Sequence, residues 1–258
     1  MAIITSEFSF VRFDGSDMPL PYINISDIAF QVASDTQITG LKMQSMSGET
    51  LQDVEGTILD LDNVYYIIPE FTLTPDCFRI ALLSSSSVVA VSNVFVKVAK
   101  DKEKLTSLIK YRCNEDSFGF TYCPAFILNS VRLPFHIKSP QFTKEQSVYR
   151  QRDGRLRISS ATIGKEYQLE TDYLNDEMHQ SITIALSHDF VFINGELLTN
   201  TGDYTIDWQN YLTDNGERTA MASTVLSSNV TQRNSNCGSE CSSADFEVFP
   251  SQLHFTAN

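Results

Sequence analysis

The sequence is short of several things that would have fixed its class at once. It has a single tryptophan and 19 Lys and Arg against 32 Asp and Glu, and no apolar run approaches 18 residues. The last point excludes a transmembrane helix from the readable pattern. The start, MAIITSEFSFVRFDG, has no basic region and is interrupted by Glu7, Arg12 and Asp14, so it does not read as a signal peptide. A formal charge of −13 argues against the dense cationic surface that duplex binding needs, and nucleic acid contact is not expected. The phosphate-binding motif G-x-x-x-x-G-K-[ST], the dinucleotide fingerprint G-x-G-x-x-G, the zinc pair H-E-x-x-H and the G-x-S-x-G elbow are all missing. No enzyme and no cofactor are expected.

The cysteines are Cys77, Cys113, Cys123, Cys237 and Cys241, an odd number. Free thiols made in a reducing cytoplasm are the default. Cys113 and Cys123 on paired strands, or Cys237 with Cys241, are the alternatives, but neither spacing is that of a zinc knuckle. Of the four histidines, His179 and His188 flank a helical stretch nine residues apart, too far for an i, i+4 metal pair. Ser187-His188-Asp189 at a helix end reads as a cap in which an imidazolium favours the dipole, rather than as a catalytic base. Carboxylate pairs such as Asp60/Asp62 and Asp203/Asp207 have a spacing that chance supplies in so acidic a chain.

What is present is strand pattern. Short β-branched or aromatic runs bounded by Gly, Pro, Asn, Asp and Ser predict strands at 7–13, 22–32, 39–43, 57–60, 64–68, 78–83, 87–91 and 93–98. The second half predicts strands at 106–113, 117–122, 126–137, 147–150, 155–163 and 166–171, with Pro134 making 126–137 an edge strand or breaking it. Asn175, Asp176 and Glu177, followed by Met178, Ile182, Ala185 and Leu186 on one stripe, predict a helix over 176–187. Asn194-Gly195 predicts a hairpin between 189–193 and 196–199, and a strand at 203–208 follows.

The expected fold is mainly β: two β-sandwich-like modules, immunoglobulin-like in architecture, with one short helix in the second and an extended C-terminal arm. The apolar-poor stretch 99–107 places a boundary between module 1–100 and module 106–211. Residues 212–258 are expected to be a polar arm ending in the aromatic strand FEVFPSQLHF, which docks on a neighbouring subunit or returns to its own sheet.

Charge is segregated along the chain: residues 1–100 are net −7, 101–170 net +4 and 171–258 net −10. Arg150, Arg152, Arg155 and Arg157 gather around the turn Gln151-Arg152-Asp153-Gly154, with Arg155 and Arg157 expected on one face of a strand. Three readings stand beside one another: a solvated tip that discourages edge pairing, contact with an acidic neighbouring protomer, and contact with phosphates. The four arginines, with Phe246, Phe249, Leu253 and Phe255 of the arm, are the candidate inter-subunit contacts.

From about Leu108 to Trp208 the sequence resembles virion proteins encoded by phages and prophages of Bacteroidetes bacteria, including the crAss-like phages. The carrying blocks are Phe118-Gly119-Phe120, Arg132-Leu133-Pro134-Phe135, Pro140-Gln141-Phe142, Lys165 to Tyr173, Ile184 to Asp189, Ile193-Asn194-Gly195 and Gly202 to Trp208. Cys77 to Leu82 and Val91-Ser92-Asn93 look like the end of the preceding β module in such proteins. The resemblance covers roughly half the chain, and 213–258 carries none of it. It implies a structural protein of the phage tail or neck. Its partners would be copies of itself in a closed ring of about six or twelve, twelve at the neck, and other tail or neck proteins, with no membrane. The alternative is a glycan-binding or receptor-binding β-sandwich accessory protein of the tail, for which one tryptophan is a thin supply of aromatic platforms.

Overall fold

The computed structural model describes residues 3–4, 6–15, 18–123, 126–212 and 218–234. The protein is mainly β and sandwich-like, with one α-helix among the described residues. The first half contributes β1 (Ile3–Ile4), β2 (Leu20–Tyr22), β3 (Phe30–Ser34), β4 (Gly40–Gln44), β5 (Thr50–Leu61), β6 (Val64–Glu70), β7 (Cys77–Ser84), β8 (Ser87–Val91) and β9 (Phe95–Lys97). They form one nine-stranded sheet in the order β1-β3-β6-β5-β4-β7-β9-β2, with β8 paired to β7. The second half contributes β10 (Ser107–Arg112), β11 (Asn129–Leu133), β12 (Phe135–Ile137), β13 (Gln141–Arg150), β14 (Leu156–Thr171), α1 (Asp176–Leu186), β15 (Phe190–Ile193), β16 (Glu196–Asn200), β17 (Thr205–Leu212) and β18 (Arg218–Asn234). Its sheet runs β11-β10-β15-β16-β18-β14-β12, with β13 on β14 and β17 on β18.

The strands divide between the two sheets across residues 98–106, where a 3-10 turn, Glu103–Leu105, carries the chain. The cores do not divide there. One continuous apolar cluster includes Phe30, Ile67 and Phe78 of the first sheet and Ile109, Leu133 and Ile182 of the second half. Ala29 and Ser130 exchange backbone hydrogen bonds at 2.8 Å in both directions, and the Tyr66 hydroxyl donates to the Leu128 carbonyl. Buried Gln31 donates to Asn129 Oδ1, and Asn129 donates to the Tyr122 hydroxyl. A polar side chain at such a junction is held in place by the cost of leaving its neighbour unpaired.

Local chemistry explains the elements. Asn175 Oδ1 accepts from the Met178 amide at 3.0 Å and starts the helix, while Met178, Ile182, Ala185 and Leu186 are buried as the stripe requires. Asn194 and Gly195 both take positive φ in a tight hairpin, and Asn194 also accepts from the Leu108 amide, tying the turn to β10. Pro134 breaks 126–137 into β11 and β12.

Several expectations fail. Residues 7–13 are not a strand. Buried Asn93 donates to the carbonyls of Phe10 and Met18 and accepts from the Arg12 amide, so a side chain replaces the ladder. Residues 117–122 are not a strand either, because Phe118 and Gly119 both sit at positive φ in a tight reversal. The run 22–32 is split between β2 and β3 by a 3-10 turn at Ile25–Asp27. The largest correction concerns 212–258. Its residues 218–234 are no polar arm but β18, the longest strand, paired with β14, β16 and β17 of its own chain. Ala220, Ala222, Thr224 and Leu226 alternate inward and are buried. Small and hydroxylated side chains pack against neighbouring strands as well as bulky ones when little space is left for them. Phe246, Phe249, Leu253 and Phe255 lie outside the described residues.

Candidate assembly surface

The second sheet extends beyond its own core as a ribbon. β13 pairs with β14 from Gln141↔Glu166 to Arg150↔Leu156, and β18 covers the other edge of β14 as far as Ser160↔Asn234. At about 3.4 Å per residue the ten residues of β13 span about 34 Å. The free end is closed by the turn at 151–155. There the Gln151 amide donates to the Arg155 carbonyl and Gly154 sits at φ +83°. Most of β13 and the outer part of β14 are exposed.

Residues directly opposite in an antiparallel pair share a face, and alternate residues along a strand share it too. Tyr167 and Leu169 of β14 are buried against the core. Their face continues outward through Lys165, paired with Phe142, then Ile163, paired with Lys144, and Ala161, paired with Gln146. A bulge follows at Ser147/Val148, where Ser159 is the extra residue. A bulge reverses the alternation. It therefore brings Ile158 (opposite Val148) and Leu156 (opposite Arg150) onto this same face. Phe142 is 69% exposed, Leu156 65% and Ile158 49%. The opposite face carries Thr143, Glu145, Ser147, Tyr149, Arg157, Ser160 and Thr162. Beyond the body the ribbon is thus amphipathic, and the side that covers the core lower down is left in solvent.

The ribbon is also where positive charge gathers: residues 141–165 hold six Lys and Arg and two acidic residues in a chain of net charge −13. All four candidate arginines are exposed at its free end. They do not form one stripe. Arg155 closes the turn, beside Asp153 at 3.6 Å, and Arg157 lies opposite Tyr149 on the polar face. Arg150 lies across from Leu156 on the apolar face. Arg155 directly precedes β14, which begins at Leu156.

The residues weighed for chemistry are placed elsewhere and are engaged structurally. His188 is buried among the rings of Tyr111, Phe118, Phe120 and Tyr122. Its Nδ1 lies 2.7 Å from the Ile184 carbonyl, which can only accept, so Nδ1 carries the proton and caps the helix. Asp189 accepts from the Asn114 amide. His179 is held in the Nε2–H form by the Ala220 carbonyl at 3.0 Å, leaving Nδ1 to accept from the Tyr204 hydroxyl at 2.8 Å. Asp60 accepts from the Asn63 amide in the β5–β6 turn. Cys77, Cys113 and Cys123 are free thiols, while Cys237 and Cys241 lie outside the described residues. Among the described residues no group of three His, Cys, Asp or Glu is arranged to hold a metal ion, and no helix is long and apolar enough to cross a membrane. An open cleft of about 1260 Å³ runs past Met18, Pro21, Leu105, Tyr173 and Met178, and no histidine, cysteine or serine is among the described residues lining it. Its Glu177 is tied to Arg12 at 2.6 Å.

Burial lowers the pKa of both histidines below the ordinary 6.5, which favours the neutral imidazole at pH 7. The helix cap is therefore a neutral N–H donor and not the expected imidazolium. The unfolded chain takes up these protons near pH 6.5, and the folded chain only at lower pH. The stability the two groups confer is complete above about pH 6.5 and is lost as pH falls from there through their folded pKa values. The urea midpoint should decline between pH 7 and pH 5.5, and His188→Phe should flatten part of the decline. A midpoint that holds steady over this range would show that neither ring is buried uncharged.

No protein-family model matches the chain, and no curated protein matches it in sequence.

Proposed function

We propose that the protein is a structural subunit of a bacteriophage virion, a ring-forming component of the tail or neck that assembles around the tail axis. The observation that carries this reading is the amphipathic, basic ribbon on an otherwise acidic body. An exposed apolar face continuous with a buried one is an interface in waiting. Its charge is opposite to that of most of the remaining chain, which holds 13 Lys and Arg against 30 Asp and Glu. A closed ring needs two different complementary patches on each protomer, and this division supplies them. The sequence blocks that resemble virion proteins of Bacteroidetes phages support the same reading. The buried, structurally bonded state of His179 and His188 favours a scaffold over an enzyme.

The test is the mass of the full chain in solution across salt concentrations, for the native protein and for Arg155→Glu with Arg157→Glu. The native chain should form a single high-order species. The charge reversal should weaken it by about tenfold at low ionic strength and less at 1 M salt, since exposed charges are screened over about 10 Å at 0.1 M. A native chain that stays monomeric and binds glycans would favour the accessory receptor-binding protein instead.

A further inference from the structure

We propose that the apolar face of the β13–β14 ribbon is covered, in the assembled state, by residues Phe246–Phe255 of a second copy of this chain. This rests on the assembly reading above and names the partner segment for the same surface.

Three observations converge. The register of β18 on β14 carries the chain to Asn234 opposite Ser160, close to the free end of the ribbon at Leu156, with residues 235–258 still to follow. The described chain therefore ends near the free end of the ribbon. The chemistry of the residues that follow complements the exposed face. Phe246, Phe249, Leu253 and Phe255 fall within ten residues, and Glu240, Asp245 and Glu247 accompany them with no Lys or Arg. The ribbon offers Phe142, Leu156 and Ile158 exposed on one face, with Lys144, Arg150 and Lys165 on that same face. Length also agrees: ten extended residues span about 34 Å, the length of the ten-residue β13. Pro250 lacks an amide hydrogen and interrupts any ladder along the open edge of β13, whereas packing on the ribbon face needs no such donor.

A second copy is chosen over the same chain because a cover in cis would seal the surface on which assembly depends. Residues 235–245 extend to at most about 36–40 Å, enough to reach an adjacent subunit. Exchange of one segment per copy links subunits head to tail, as ring closure requires.

The experiment uses the full chain with a benzophenone side chain in place of Ile158, assembled from a mixture of isotopically heavy and light copies. After photolysis, peptides from 246–255 should be joined to the residue 158 peptide, with heavy–light pairs about as frequent as same-isotope pairs. Links to 246–255 found only within one isotope, or links only to other segments, would overturn the proposal. A chain ending at Asn234 gives a second readout. It should melt like the full chain but lose assembly by 100-fold or more. If it assembles normally while Leu156→Asp with Ile158→Asp does not, the segment is not the partner although the ribbon remains the interface. If neither change affects assembly, the ribbon is not an interface and both readings fall.

Discussion

Ending the chain after Leu212 should abolish cooperative folding of the second half, whereas ending it after Asn234 should leave the fold intact. The strand that separates the two truncations, β18, is central and not peripheral: it pairs with β14 along eleven registered positions and also with β16 and β17. Leu226 and Ala220 are fully buried, and the Ala220 carbonyl is the acceptor that holds His179. Without β18 the Nε2–H of a buried imidazole loses its partner, at about 1–3 kcal/mol, and β14 loses the ladder on one edge. The single substitution Leu226→Ala should already cost about 2–5 kcal/mol, the range for emptying a packed leucine site. Thermal melts followed by circular dichroism would report this. A chain ending at Leu212 that melts in one sharp transition at the native temperature would show that β18 is an accessory.

Replacing Leu156 and Ile158 together by Asp should leave the melting temperature within a few degrees of native and reduce assembly by 100-fold or more. Both side chains are largely exposed in the single chain, so their loss exposes no cavity. At an interface each would contribute about 1.5–3 kcal/mol by burial, so losing both removes about 3–6 kcal/mol and adds two desolvated charges. Ser147→Asp, on the opposite face, is the control and should change little. Equal effects of the two faces, or no effect of either, would contradict an interface that uses the apolar side.

The sequence made some of this legible and hid the rest for physical reasons. Asn175 with its acidic first turn, the Asn194-Gly195 hairpin and the break at Pro134 are local signals, complete within a few residues, and each is found in place. β18 reads as a polar linker because its buried positions are Ala, Ala, Thr and Leu, small or hydroxylated side chains that mark a strand only once the partner strands are known. The carbonyls of Phe10 and Met18 are held by Asn93, 83 and 75 residues away, which no local reading reaches. The arginine cluster was visible, but the surface beside it was not. Leu156 and Ile158 are even-numbered while Ala161, Ile163, Tyr167 and Leu169 are odd, and that change of parity is the trace of the bulge near Ser159. Read as a bulge, it puts all of them on one face.

The most direct measurement is a density map of a phage particle that carries this chain. The account predicts a closed ring of identical two-sheet subunits around the tail axis, each with the β13–β14 ribbon lying against its neighbour and Phe142, Leu156 and Ile158 out of contact with solvent. A particle in which the chain occupies a single peripheral site, or in which those three side chains face open solvent, would contradict it.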